Sequence, residues 1–196
     1  MMLIKSHTMT LLEAYRTPPH IIRHSEKVAQ IALFLSEELN RAGHHLDLCL
    51  VETGALLHDI AKVYSLENGA NHARAGAEWL RRHGLGHVAP IVDYHVHIPD
   101  HEMRVSEVAV VNYSDKRVRE HDVVTLEERF SDLIIRYGVD EVRRERITIL
   151  FERTKALEHL LFTHLSFSPE ELSTIMTDVR KRSIPVSSEV GAECDG

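Results

Sequence analysis

The sequence predicts an all-α protein, and three observations predict it. Apolar residues recur at i, i+3 and i+4 spacing through most of the 196 residues. Period-two alternation is nowhere sustained, so strands are not expected. Helix-start and helix-stop residues punctuate the periodic stretches. Helices are expected over residues 21–40, 47–63, 71–84, 88–97, 105–117, 125–137, 140–165 and 169–182.

The first of these carries an apolar stripe of Ile21, Val28, Ile31, Leu35 and Leu39, and His24 fills the gap in it. In the second, Leu48, Val51 and Ala55 lead to His58 and Lys62, with Asp59 about 100° around the helix from His58. In the third, His72, Gly76, Trp79 and His83 share a face, and Gly76 admits a close helix approach. In the fourth, His95 follows Ile91 by one turn; His97 is the alternative, because only one of the two can face inward. In the fifth, Val108 and Val111 are followed by Asp115, a carboxylate where an aliphatic belongs.

Beyond residue 120 the chain shows no recognisable chemistry. Thr125 and Glu128 form a capping box, Gly138 suits the position after a helix, and Ser168, Pro169 and Glu171 give an N-cap, an N1 proline and another box. The long helix between them bears Val142, Ile149, Leu150, Leu157, Leu160 and Leu161, enough to pack on the core or on a second copy of the chain in a homodimer. Its opening run of Glu141, Arg143, Arg144, Glu145 and Arg146 reads as a solvated face. His121, His159 and His164 read as surface or packing residues.

Three separated helices thus each turn a histidine or aspartate inward. A buried polar group needs a partner, and imidazole with carboxylate suits divalent metals. For any one residue the alternative is a core histidine bonded to a carbonyl, or a capping aspartate. The coincidence of His24, His58, Asp59 and Asp115 favours a metal. Lys62, one turn after His58, is placed to meet a phosphate oxygen, against the alternative of a lysine snorkelling at a helix end. Lys116 and Arg117 beside Asp115 are weaker candidates for a phosphate clamp, with exposed surface the preferred reading.

These residues resemble the HD-domain metal-dependent phosphohydrolases, an all-helical family named for an adjacent His-Asp pair. The pattern of a histidine, the pair and a later aspartate is met by His24, His58-Asp59 and Asp115. The strings Arg23-His24-Ser25-Glu26-Lys27-Val28-Ala29, Leu56-Leu57-His58-Asp59-Ile60-Ala61-Lys62 and Tyr113-Ser114-Asp115 agree with it. The resemblance implies an HD helical bundle over residues 15–120; the additional C-terminal helices beyond it, over 121–184, are expected from their own apolar pattern to pack on it as one domain. The resemblance also implies hydrolysis of a phosphate ester or anhydride, with Asp59 and Lys62 as the catalytic candidates. His72 and His95 look like the extra ligands of the two-metal subgroup. One ion would take His24, His58, Asp59 and Asp115, and a second Asp59, His72 and His95. No Gly-Tyr-Pro signature follows, and no glutamate appears after the pair until Glu67. The nearest resemblance is to small bacterial HD proteins that hydrolyse dinucleoside polyphosphates or related nucleotides.

Composition sets the outer limits. With 43% apolar and 27% charged residues the chain is globular. A net charge of -7 argues against nucleic acid as a bulk electrostatic partner. It leaves room for a small phosphorylated substrate, a nucleotide above all, held by one or two divalent ions among Mn, Fe, Co, Ni, Zn and Mg. Cys49 and Cys194 form no metal or disulfide framework, which fits a reducing cytoplasm. No membrane partner is expected, since no stretch approaches the ~18 apolar residues of a membrane span. Residues 185–196 are expected to form a disordered tail. Two functions fit these residues: hydrolysis by water activated at the metal, or a regulatory module that keeps the site to bind a nucleotide without turnover.

Overall fold

A computed structural model describes residues 2–182; the tail expected over 185–196 lies outside them. Ten helices follow in order: α1 (Met2–Ala14), α2 (Pro19–Arg41), α3 (Leu48–Leu57), α4 (Lys62–Asn68), α5 (His72–Arg82), α6 (Ala89–Tyr94), α7 (Glu107–Lys116), α8 (Leu126–Tyr137), α9 (Glu141–Phe162) and α10 (Leu172–Arg182). A two-stranded ribbon, β1 (Val118–Arg119) and β2 (Asp122–Val123), joins α7 to α8. The protein is all-α, as its periodicity predicts.

The core forms where α2 packs on α3 and α7. The stripe Ile21, Val28, Ile31, Leu35 and Leu39 is buried, and so is every residue of α7 from Val108 to Lys116. Removing that much apolar surface from water is the main force holding α7 central. Helix α9 adds Leu157 and Leu161 to this core, while Val142 and Ile149 on the same helix stay exposed. A second apolar cluster joins Leu11 and Leu12 of α1 to Ala77, Leu80 and Val92 of α5 and α6. Among the described residues, no helix is long and apolar enough to cross a membrane.

The structure departs from expectation in several places, one being that the helix expected over 88–97 ends at Tyr94 and leaves His95 and His97 just beyond it. Helix α1 was not expected; it caps the second cluster, and Tyr15 just beyond it stacks on Trp79 with ring centroids 4.2 Å apart. The helix expected over 47–63 ends at Leu57, and residues 58–61 form a tight turn before α4. There the Ile60 N–H donates to the Leu57 carbonyl and the Lys62 N–H to the Asp59 carbonyl, three residues back instead of four. The ribbon was not expected either. Its turn puts Glu120 in the left-handed region at φ +59°, which costs a side-chain-bearing residue energy and leaves no Asn-Gly signal to read. Finally, the box at Ser168 opens a 3-10 turn at Pro169–Glu171, with α10 starting after it.

Other local expectations meet the coordinates directly. Thr125 and Glu128 form their reciprocal capping bonds. Gly76 stands where an added Cβ would lie 3.0 Å from Val92 Cγ1, so α5 and α6 do pack closely there. Gly138 follows α8, but at φ -80°.

Candidate metal centre

The turn after α3, the starts of α4 and α5, the end of α6, the last turn of α7 and one face of α2 all meet at one place. His24 comes from α2, His58 and Asp59 from the turn, Lys62 from α4, His72 from α5, His95 from the end of α6 and Asp115 from α7. The break at His58 matters here. It releases Asp59 from the helical face that a continuous helix would have imposed, so that neighbouring residues reach the same point.

Two groups of donor atoms result, in each of which the atoms lie within 4.8 Å of one another: His24, His58 and Asp115, and then His58, Asp59 and His95. In the first, Asp115 Oδ1 stands 3.0 Å from His24 Nε2 and 3.6 Å from His58 Nε2. In the second, Asp59 divides its oxygens. Oδ2 is 3.6 Å from His58 Nε2, whereas Oδ1 is 3.3 Å from His72 Nε2 and 3.5 Å from His95 Nε2. His72 Nε2 and His95 Nε2 are 3.0 Å apart. His95 is buried and His97 exposed, which decides between the two in favour of His95.

Backbone carbonyls orient three of the rings. The Nδ1–H of His24 donates to the Glu120 carbonyl at 3.1 Å, that of His58 to Ala55 at 2.7 Å, and that of His95 to Val92 at 2.6 Å. A carbonyl only accepts, so each ring carries its proton on Nδ1 and, when neutral, presents a lone pair at Nε2. The left-handed Glu120 is what delivers its carbonyl to His24.

A divalent cation fits this arrangement. His58 Nε2 is fully buried and has no hydrogen-bond partner, a state that costs free energy unless an electrophile completes it. His24 Nε2 and Asp115 Oδ1 are both acceptors at 3.0 Å, and they repel unless a proton or a metal ion lies between them. Donor atoms sharing one ion with bonds of about 2.0–2.2 Å stand roughly 3–4 Å apart, as these do.

The electrostatics keep Asp59, Asp115 and His95 in their binding forms and favour a proton on His58. Burial alone would raise the Asp59 carboxyl, but His58, His72, His95 and Lys62 around it hold its pKa well below the usual range. Burial likewise opposes ionisation of Asp115, and Lys116, His24 and His58 hold it well below. Burial pushes His95 down to about 4, despite its bond to Asp59. For His58 burial acts downward, yet the charges of Asp59 and Asp115 outweigh it and raise the pKa.

Lys62 Nζ lies 3.3 Å from Asp59 Oδ1, with its side chain 37% exposed, so its ammonium stands at the rim. The neighbours of Asp115 correct the sequence reading. Neither Lys116 nor Arg117 is exposed surface. Lys116 is buried, with Nζ 3.0 Å from Asp115 Oδ2 and bonded to the His95 carbonyl, and burial lowers its pKa against the pull of Asp115. Arg117 turns the other way and serves no phosphate clamp. It donates to the carbonyls of Val124 and Pro169 and to Tyr113 Oη, and pairs with Glu158 at 3.4 Å. Asn112 was missed altogether; its amide donates to the carbonyls of Tyr94 and His95. No sequence signal marked it, because α7 is buried on every side and has no polar face to read.

Comparison with known proteins agrees with this geometry. The HD domain family model matches residues 21–133, and the chain belongs to the HD-domain family, a superfamily of metal-dependent phosphohydrolases. It is 28% identical over 170 residues to a tRNA (cytidine(56)-2'-O)-methyltransferase of Thermoplasma volcanium, covering 84% of this chain and 48% of that one. It is 36% identical over 96 residues to Ribonuclease Y of Aquifex aeolicus, covering 49% of this chain and 16% of that one. A protein of unassigned function from Methanocaldococcus jannaschii is 24% identical over 161 residues, 80% of this chain and 90% of its own. The chain therefore spans about half or less of the two relatives with named activities. No solved structure matches it.

Proposed function

We propose that the chain is a metal-dependent phosphohydrolase cleaving a phosphate ester or anhydride of a nucleotide or another small phosphorylated molecule. The observation that carries this is the buried, unpartnered Nε2 of His58, set between two groups of histidine and carboxylate donors. His24, His58, Asp59 and Asp115 would hold one ion, and Asp59, His72 and His95 a second. Bound divalent ions would lower the pKa of water to supply hydroxide near neutral pH and neutralise phosphoryl oxygens. Asp59, with one oxygen toward each group, keeps the groups in register. Lys62 at the rim is the residue of this chain placed to bind a phosphate oxygen or steady the leaving oxygen.

A second reading, cleavage of a phosphodiester in RNA, is favoured by the relatives named Ribonuclease Y. Against it stands the net charge of -7, which opposes binding along a polyanion. Release of phosphate from a panel of nucleotides, beside cleavage of a short RNA, each with added manganese and each with wild type and Asp59→Ala, tests both. Turnover of nucleotides alone, lost in the variant, supports the first reading; turnover of RNA supports the second. Nucleotide binding without turnover of any phosphate ester overturns both in favour of a sensor.

A further inference from the structure

We infer that Lys116 is a positioning residue that joins the two halves of the metal centre, so that occupation of the second half depends on it. The inference rests on the metal centre described above and concerns a residue outside the donor set. Helix α7 supplies Asp115 to the first group; it meets the second where Asp115 Oδ1 stands 3.6 Å from the shared His58, and it holds the backbone at His95 through Asn112 and Lys116, one turn apart on the same helix. Both grip the end of α6: the Asn112 amide donates to the carbonyls of Tyr94 at 2.7 Å and His95 at 3.0 Å, and the Lys116 ammonium to that of His95. The last carbonyls of a helix have no partner within it, and a cation there also meets the negative end of the helix dipole. The ring of His95 is thereby held from both sides, by Val92 through Nδ1 and by α7 through its own backbone.

At its other contact Lys116 takes Asp115 Oδ2, while Oδ1 faces His24 and His58. The lysine thus allots the two oxygens of Asp115 and leaves one for a metal. It also balances charge, since Lys62 stands on Asp59 as Lys116 stands on Asp115. A buried ammonium is costly to keep, and this one is retained with a bond to each half of the centre.

The sign of the effect separates positioning from charge alone. Deleting a nearby positive charge by itself strengthens binding of a cation. Losing a support behind a ligand weakens it, by about 10–100-fold in metal affinity. The full chain, stripped of metal, is titrated with Mn(II), with free and exchange-coupled ions read by electron paramagnetic resonance. Wild type is expected to bind two ions and show the coupled signal. Lys116→Met is expected to keep the first ion but bind the second about tenfold or more weakly, losing the coupled signal at equal metal. Should the methionine variant fail to fold by circular dichroism, Lys116→Gln carries the test with the same two outcomes. Two ions bound as tightly as in wild type, or more tightly, overturn the role of Lys116 and leave the metal centre standing. Wild type that binds no ion overturns the centre itself.

Discussion

His58 Nε2 and Asp115 Oδ1 stand 3.6 Å apart, both side chains buried, with no hydrogen bond between them. The two residues come from the end of α3 and the last turn of α7, elements that would not tolerate a buried acceptor beside a buried carboxylate for packing alone. His58 also faces Asp59 and His95, so it belongs to both groups of donors.

That shared membership predicts an asymmetry in metal content. His58→Ala is expected to empty the half it helps to hold and only to weaken the other, whose Asp59 and His95 it stands beside, whereas His72→Ala, on the outer side of Asp59, is expected to lose the second ion and keep the first. Elemental analysis of each purified variant after dialysis against manganese reads this directly. Two ions retained by His72→Ala would remove His72 from the ligand set.

The pKa shifts predict the pH profile of the metal-stripped chain. His95 is lowered from 6.5 to about 4. Between those values the unfolded chain takes up a proton that the folded one refuses, so stability falls on acidification, by at most roughly 3 kcal/mol. His58 is raised, and its contribution is complete below 6.5 and lost as pH rises through its folded pKa. Asp59 and Asp115 are depressed, and their contribution is lost only as pH falls below the ordinary carboxylate range. Urea unfolding with a chelator present is expected to show greatest stability near pH 6.5. His95→Asn is expected to flatten the acid limb, and an unchanged limb in that variant would contradict the assignment.

Arg117 and Glu158 form a buried pair at 3.4 Å, with Tyr113 Oη donating to the same carboxylate at 2.7 Å. Removing one partner strands a charge in the core, and Arg117→Met is expected to cost about 3–5 kcal/mol. The double variant Arg117→Met with Glu158→Gln is expected to recover much of that loss. Since Arg117 bonds away from the centre, either variant that folds is expected to bind metal as wild type does. Chemical denaturation and a manganese titration together check the claim.

The residues of the centre were legible because each interrupts an apolar stripe: His24 among Val28, Ile31 and Leu35, and Asp115 after Val108 and Val111. Helical periodicity gave most of the bundle for the same reason. It failed at residues 58–61, where the chain leaves the helix to serve the site, and at the ribbon, where the turn rests on a strained Glu120 in place of a glycine. It also failed for Lys116 and Arg117. A charged residue beside a ligand reads as surface, and only the packing of α7 on all sides shows that both are buried.

Gly54 of α3, the helix that leads to His58, packs against Ile91 of α6, the helix that leads to His95. A Cβ placed there would lie 2.6 Å from Ile91 Cγ2 and 3.0 Å from Ile91 Cβ, so α3 and α6 cannot keep their spacing around an alanine. Overpacking of this kind costs about 1–3 kcal/mol, slightly offset because alanine favours the helix over glycine. The helix shift separates His58 from His95, so Gly54→Ala is expected to lower the melting temperature of the stripped chain and also to weaken the second manganese ion. Thermal unfolding with and without manganese distinguishes the two effects: a smaller gain on adding metal than in wild type shows that the spacing of α3 and α6 sets the centre, and an equal gain shows that it does not.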